Sequence, residues 1–356
     1  MKNKAWCILS LSLALVILVI AGAITAFIDP YFHYHAPLEG IAYPLNNQRY
    51  QNDGIVRHFS YDALITGTSL TENFKNSELD QLFGVHSVKA CYSGGSYGEI
   101  FQNLEQAVRS QPELKLVVFG MDEWFLLGGK DLIEAKGDYP TYLYDDNPVN
   151  DVNYLLNREI LCGASLETLN FTRQGNATTS FDDFGAWGHL YTYDAQNVIE
   201  NYKRLDQAAE KKVLTQEQAD QIEHTLRDTA LRLAEENPQI TFLYFFPPYS
   251  ILNWDNHQRE GSLEFQVDAF KKASEVLLEA DNIQLYSFYT DFDTIVNLDN
   301  YRDIVHYSPE INSLILSRMQ KGEYRLTKDN CQAHWATVLY LYSRYSYDRL
   351  IFSKAN

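Results

Sequence analysis

Basic residues are in short supply. The 356-residue chain carries 29 Lys and Arg against 47 Asp and Glu, a formal charge of −18 at neutral pH. Lys2 and Lys4 are the only charges before Asp29, which leaves the remainder at −20. Nucleic-acid binding rests on neutralising phosphates, so a chain this acidic argues against that partner. Cysteine is scarce as well. Cys7 lies in an apolar leader, and Cys91, Cys162 and Cys331 fit no paired CxxC spacing, which argues against a zinc site. Cys162 with Cys331 stays open as a disulfide in an exported domain, because spacing does not set thiol geometry. No sequence signature implies a metal or an organic cofactor. Repeats and low-complexity linkers are absent, so one domain after the leader is the simplest partition. Charged residues at 21% and hydrophobic residues at 46% exclude a disordered chain.

The one long charge-free stretch is Ala5–Ile28, 24 residues. As a helix it reaches about 36 Å, more than the hydrocarbon core of a bilayer requires. Lys2 and Lys4 precede it and no basic residue follows before Arg49. The positive-inside rule then predicts a cytoplasmic N-terminus and an exported bulk. Phe27, Tyr31, Phe32 and Tyr34 suit an interfacial aromatic belt. A cleaved signal peptide is the competing reading, with small residues at Ala21-Gly22-Ala23. The run exceeds a typical signal core, which favours an uncleaved anchor over residues 1–28. His33 and His35 could pair on a metal; beside a membrane they read first as interfacial side chains. Aromatics are abundant, 25 Tyr and 19 Phe, and fill cores more often than they stack on sugars.

Residues 29–60 read as an exit segment, rich in Pro, Asn and Tyr and without clear periodicity. From Tyr61 the pattern is strand, turn, helix, repeated. Ala63–Thr66 is apolar and β-branched and ends in Gly67-Thr68-Ser69. Helical spacing follows over 71–83. Val85–Cys91 is a second strand, ended by Ser93-Gly94-Gly95-Ser96, and a helix follows over 100–109. Leu114–Phe119 is continuously apolar, as a strand buried on both faces would be, and ends in Gly120-Met121-Asp122-Glu123. Residues 125–212 hold many Tyr, Asn, Asp and Gly and read as an insertion of short helices and loops, suited to a cleft wall. Thr215 with Gln218 predicts a capping box on a helix that Pro238 stops. Strands over 240–246 and 283–288 flank a helix over 263–280. A sheet-covering helix over 310–319 and an aromatic closing helix after Cys331 complete the domain, 61–356. The alternation predicts an α/β fold: a three-layer sandwich around a mainly parallel, flavodoxin-like sheet, preceded by one transmembrane helix.

In a parallel sheet the carboxyl ends of all strands share one edge. Ser69, Gly94 and Asp122 follow three such ends, and Asp303-Ile-Val-His306 follows the last. A carboxylate and an imidazole three residues apart on a turn lie on one face. The carboxylate can hold one ring nitrogen and leave the other as a base for a serine hydroxyl, which is a weak nucleophile unaided.

The ordered blocks Gly-Thr-Ser69, Ser-Gly94, Gly-Met-Asp122 and Asp303-x-x-His306, over roughly residues 60–320, resemble the SGNH (GDSL-like) hydrolase family. The resemblance implies Ser69 as nucleophile, His306 as base and Asp303 as its orienting partner. It implies an oxyanion hole from the Ser69 and Gly94 amides, with Gly95 as the alternative glycine. The third block departs from the family's Gly-x-Asn-Asp: Asp122 stands where an asparagine normally donates to the oxyanion; ionised it cannot donate, protonated it could, or it could orient the glycine turn instead. An anchor ahead of such a domain is similar to the SGNH proteins of cell-surface polymer O-acylation. The implied function is a membrane-anchored, outward-facing serine acyltransferase or esterase. Its partners would be a cell-surface polysaccharide and a membrane-bound O-acyltransferase. The other reading is a catalytically weak or inactive scaffold that holds the acceptor for that acyltransferase.

Overall fold

The computed structural model describes residues 2–127 and 139–352. They fall into two compact units, Met1–Ser60 with Ala135–Gly185, and Tyr61–Glu134 with Ala186–Asn356. Part of the expected insertion, residues 128–138, lies outside the described residues. Of the remainder, 139–185 belong to the first unit, and 125–127 and 186–212 to the second.

The first unit begins with a helix, Lys2–Ile28. Its stretch Lys4–Ile28 contains an 18-residue window of mean hydropathy 2.8 and is long and apolar enough to cross a membrane; a signal sequence has the same character. The helix ends at Asp29, which adopts φ +45° and is fully buried. Its carboxylate accepts the amides of His33, Tyr34 and His35 at 2.8–3.0 Å and the Tyr154 hydroxyl at 2.7 Å. The His33 ring lies 3.2 Å from Asp151, and the His35 ring lies against the carbonyls of Ala36 and Ala26. A helix at Gln48–His58 occupies what the sequence presents as an aperiodic exit segment. Its buried face holds Gln51, Asn52 and Asp53 beside Ile55 and Val56, so no apolar stripe marks it.

The second unit is built on five strands: β1 (Ala63–Gly67), β2 (Ser87–Cys91), β3 (Leu116–Gly120), β4 (Thr241–Phe246) and β5 (Ile283–Ser287). They pair in the order β2-β1-β3-β4-β5, all parallel. Every residue of β1, β2 and β3 is buried, as helices on both faces require. The α/β expectation therefore holds, with strand limits within two or three residues of the apolar runs. Between β1 and β3 the winding reverses. This is the switch point, where an open α/β sheet leaves a crevice at its carboxyl edge.

The connecting helices differ more from expectation. The stretch expected to be helical over 71–83 forms two helices, Ser69–Glu72 and Asn76–Phe83. The capping box of Thr215 and Gln218 is present at the head of Gln216–Leu226. A helix at Ile251–Arg259, after Pro247-Pro248, was not legible because its buried side includes Asn253, Asp255 and His257. All four cysteines are free, so the open Cys162–Cys331 pairing is not formed; Cys162 is exposed, whereas Cys331 is buried.

Candidate active site

The site starts from the sheet edge. Gly67 ends β1 with φ +139°, in a region L side chains rarely adopt. A Cβ there would meet the Thr71 side chain at 2.8 Å, and one on Gly120, at the end of β3, would meet it at 2.6 Å. Thr71 therefore fills the switch point between two obligatory glycines. Its hydroxyl donates to the Thr68 carbonyl at 2.8 Å, which turns the chain straight into the helix Ser69–Glu72.

Four residues make no stable helix by themselves, because every carbonyl is an end carbonyl. Here each one is taken. Trp187 Nε1–H donates to the Ser69 carbonyl at 3.0 Å. Tyr307 OH and Asn312 Nδ2 donate to that of Leu70 at 3.0 and 2.9 Å. The Phe74 amide takes that of Thr71 at 3.2 Å. The Lys89 ammonium, buried in β2, takes those of Glu72 and Phe74 at 2.5 and 3.0 Å. A buried cation at a helix C-terminus also complements the helix dipole. The tertiary structure thus holds Ser69 at a fixed angle at the start of this helix.

His306 faces it. Ser69 Oγ lies 2.9 Å from His306 Nε2. On the other side, His306 Nδ1 lies 2.8 and 3.0 Å from the two Asp303 oxygens. The Asp303 carboxylate also accepts the amides of Val305 and His306 at 2.9 and 2.8 Å. Burial alone would raise the Asp303 carboxyl. The His306 hydrogen bond and charge, with these two amides, hold it well below the usual carboxylate range. The loop is closed by an antiparallel bridge between Tyr301 and Tyr307 and by the Arg302 amide on the His306 carbonyl. Ser250 ties it to the end of β4 through the Ile304 carbonyl.

Asp122 lies against the residue that precedes Ser69. It is buried, and both its oxygens are occupied: one by the Thr68 hydroxyl, the other by Tyr249 OH at 2.8 Å. Burial pushes its carboxyl up to about 7 against the pull of those two hydroxyls. It braces the residue before Ser69. Gly94 lies exposed at the tip of the turn after β2, with φ +58°. The Gly95 amide is committed to the Tyr92 carbonyl at 2.8 Å, so of the two glycines Gly94 is the one not tied into that turn.

Four residues escaped the sequence reading. Trp187, besides bonding Ser69, meets the His306 ring edge-on at 5.4 Å and 87°. Asn73 holds the Trp187 and Gly188 amides at 3.0 and 2.8 Å. Gly188 admits no side chain, since a Cβ would meet Pro309 at 2.2 Å. Arg302 bonds Asp303 Oδ2 through Nε at 2.9 Å. A Trp-Gly pair in an aperiodic stretch and an arginine beside Asp303 were the available signals.

No protein-family model matches this chain, and no curated protein does. Among solved structures, one named provisionally as a platelet activating factor from Streptococcus pneumonia superposes on it. That match has a TM-score of 0.38 and 12% identity, over 77% of this chain and 89% of the other.

Proposed function

We propose that the α/β unit is an SGNH-type serine acyl-transfer site with Ser69 as nucleophile, His306 as base and Asp303 as its orienting carboxylate. The observation that supports this most is the unbroken chain from Ser69 Oγ through the His306 ring to Asp303, at 2.9 and 2.8 Å, on the carboxyl edge of the sheet. Ser69 Oγ attacks an ester carbonyl while His306 Nε2 takes its proton. The tetrahedral oxyanion is held by the Ser69 and Gly94 amides. The intermediate collapses to an acyl-serine as His306 returns the proton to the departing alcohol. Water or a sugar hydroxyl, deprotonated by His306, then takes the acyl group, and His306 returns that proton to the departing Ser69 Oγ.

The apolar helix Lys4–Ile28 supports a membrane-anchored protein with its N-terminus in the cytoplasm and the α/β unit outside. In that setting the acceptor is a cell-surface glycan, with a membrane-bound O-acyltransferase as the supplier of acyl groups. A second reading, a non-catalytic acceptor-holding partner of such an acyltransferase, is favoured by one observation. Asp122, in place of an oxyanion donor, has both oxygens occupied by hydroxyls. A fluorophosphonate probe decides between them. Labelling of Ser69 that is lost in Ser69→Ala and His306→Ala supports the enzyme; an unlabelled, folded wild type leaves the partner reading.

A further inference from the structure

We infer that Arg302, laid over Trp187 and Tyr191, is the receptor for the negative charge of an anionic sugar, carried by carboxylate or phosphate, presented to Ser69. The inference rests on the acyl-transfer reading for what happens to that sugar, not for its binding.

A guanidinium has five N–H donors in a planar fork. Arg302 spends one of them, Nε–H, on Asp303 Oδ2. Among the described residues, no partner takes either Nη nitrogen. The group is nevertheless fixed. Its Cζ lies 4.6 Å from the Trp187 ring centroid and 4.0 Å from that of Tyr191. It cannot swing away without losing two cation–π contacts and the ion pair. A held fork with unspent donors has little ordering entropy left to lose on binding an anion.

Its position ties it to the chemistry. Trp187 touches the cation and meets His306 edge-on, and its N–H bonds the Ser69 carbonyl. The fork is thus one indole away from nucleophile and base. The Arg302 side chain is itself 24% exposed, and Tyr191 beside it 50%. If Arg302 served only to steady Asp303, one donor would suffice and two aromatic rings would be unnecessary. An acidic chain also repels anions at long range, so an anionic substrate needs a local cation to be held. Planar bidentate geometry suits carboxylate and phosphate alike.

The full-length protein in non-ionic detergent micelles would be titrated calorimetrically with galacturonate, galactose 6-phosphate and galactose. These share a ring and differ at C6: carboxylate, phosphate or hydroxyl. One of the anions is expected to bind about tenfold or more tighter than galactose, as for a charge-assisted bidentate pair, and which one names the charge carrier. Arg302→Gln should erase the preference; Arg302→Lys, which keeps the charge without the fork, should restore part of it. Equal binding of all three, no binding of any, or a preference that survives Arg302→Gln overturns the inference. Fluorophosphonate labelling on the same samples separates the two claims. An anion preference without labelling sinks the acyl-transfer reading alone, and labelling without a preference sinks the receptor alone.

Discussion

Among the described residues of the α/β unit, two histidines carry a carboxylate on one ring nitrogen and a serine on the other. His306 carries Asp303 on Nδ1 and Ser69 on Nε2. His257 carries Ser262 on Nδ1 at 2.9 Å and Glu123 on Nε2 at 2.8 Å. The residue types are nearly the same, but the surroundings are not. The side chains of His306 and Asp303 are 22% and 38% exposed, those of His257 and Glu123 only 7% and 17%. Ser69 begins a helix after a glycine turn at the switch point. Ser262 closes a turn, its amide on the His257 carbonyl at 2.8 Å. The second trio pins the helix Ile251–Arg259 to the end of β3 through Glu123. Serine, histidine and carboxylate in hydrogen-bonded order therefore do not identify a site by themselves. Access differs between the two trios, and a serine nucleophile would also need backbone amides to receive an oxyanion.

The sharpest way to break this contrast is to remove each serine. Ser69→Ala should lower turnover of an activated ester by about 10³-fold or more and abolish fluorophosphonate labelling, with the thermal unfolding curve unchanged. Ser262→Ala should keep the label. Labelling that follows Ser262 instead would invert the comparison. Next in size is the pH response set by Asp122. Its carboxyl is held near 7 in the native state, far above its unfolded value of 3.8. Between those values the native state holds a proton that the unfolded chain releases. Stability therefore falls as pH rises through that window, by a few kcal/mol in order of magnitude. Asp122→Asn should flatten this part of the profile, measured by urea unfolding at both ends of the window. A mutant profile parallel to wild type would show that Asp122 does not carry the proton.

His257→Leu should cost about 1–3 kcal/mol of stability, since it leaves Glu123 and Ser262 without their buried partner. Labelling of Ser69 should persist at a temperature where the variant is folded. Loss of labelling in the folded variant would make the two trios one functional unit. The smallest effect is expected from Trp187→Phe, which keeps an aromatic ring against His306 but removes the donor to Ser69. A loss of about 1 kcal/mol, a few-fold in kcat/KM for the ester, is expected. An unchanged rate would show that Tyr307, Asn312 and Lys89 hold the Ser69 turn unaided.

The site was partly legible in the chain. Ser69, Asp303 and His306 stood out because each follows an apolar run that reads as a strand, and parallel strands bring such ends together. Trp187, Asn73 and Tyr249 did not stand out. Their partners are remote in sequence (118 residues separate Trp187 from Ser69), and no periodicity marks the loops that carry them. The helices Gln48–His58 and Ile251–Arg259 were hidden for a related reason. Both bury polar side chains that find specific partners, as Gln51 does with the amides of Asn46 and Asn47 and Asp255 with Arg204. A hydrophobicity pattern registers such a face as solvent.

The sequence by itself determined the apolar leader, the five strands and the order of the chemical blocks. Each of these depends on local burial, and burial of a strand or a membrane-length helix is written in consecutive residues. Only the tertiary structure decided which serine meets which histidine, and that Asp122 turns its oxygens to Thr68 and Tyr249. It also decided that a four-residue helix with no stability of its own stands firm. Those outcomes rest on hydrogen bonds made across the fold, whose short range demands that the backbone first be in place.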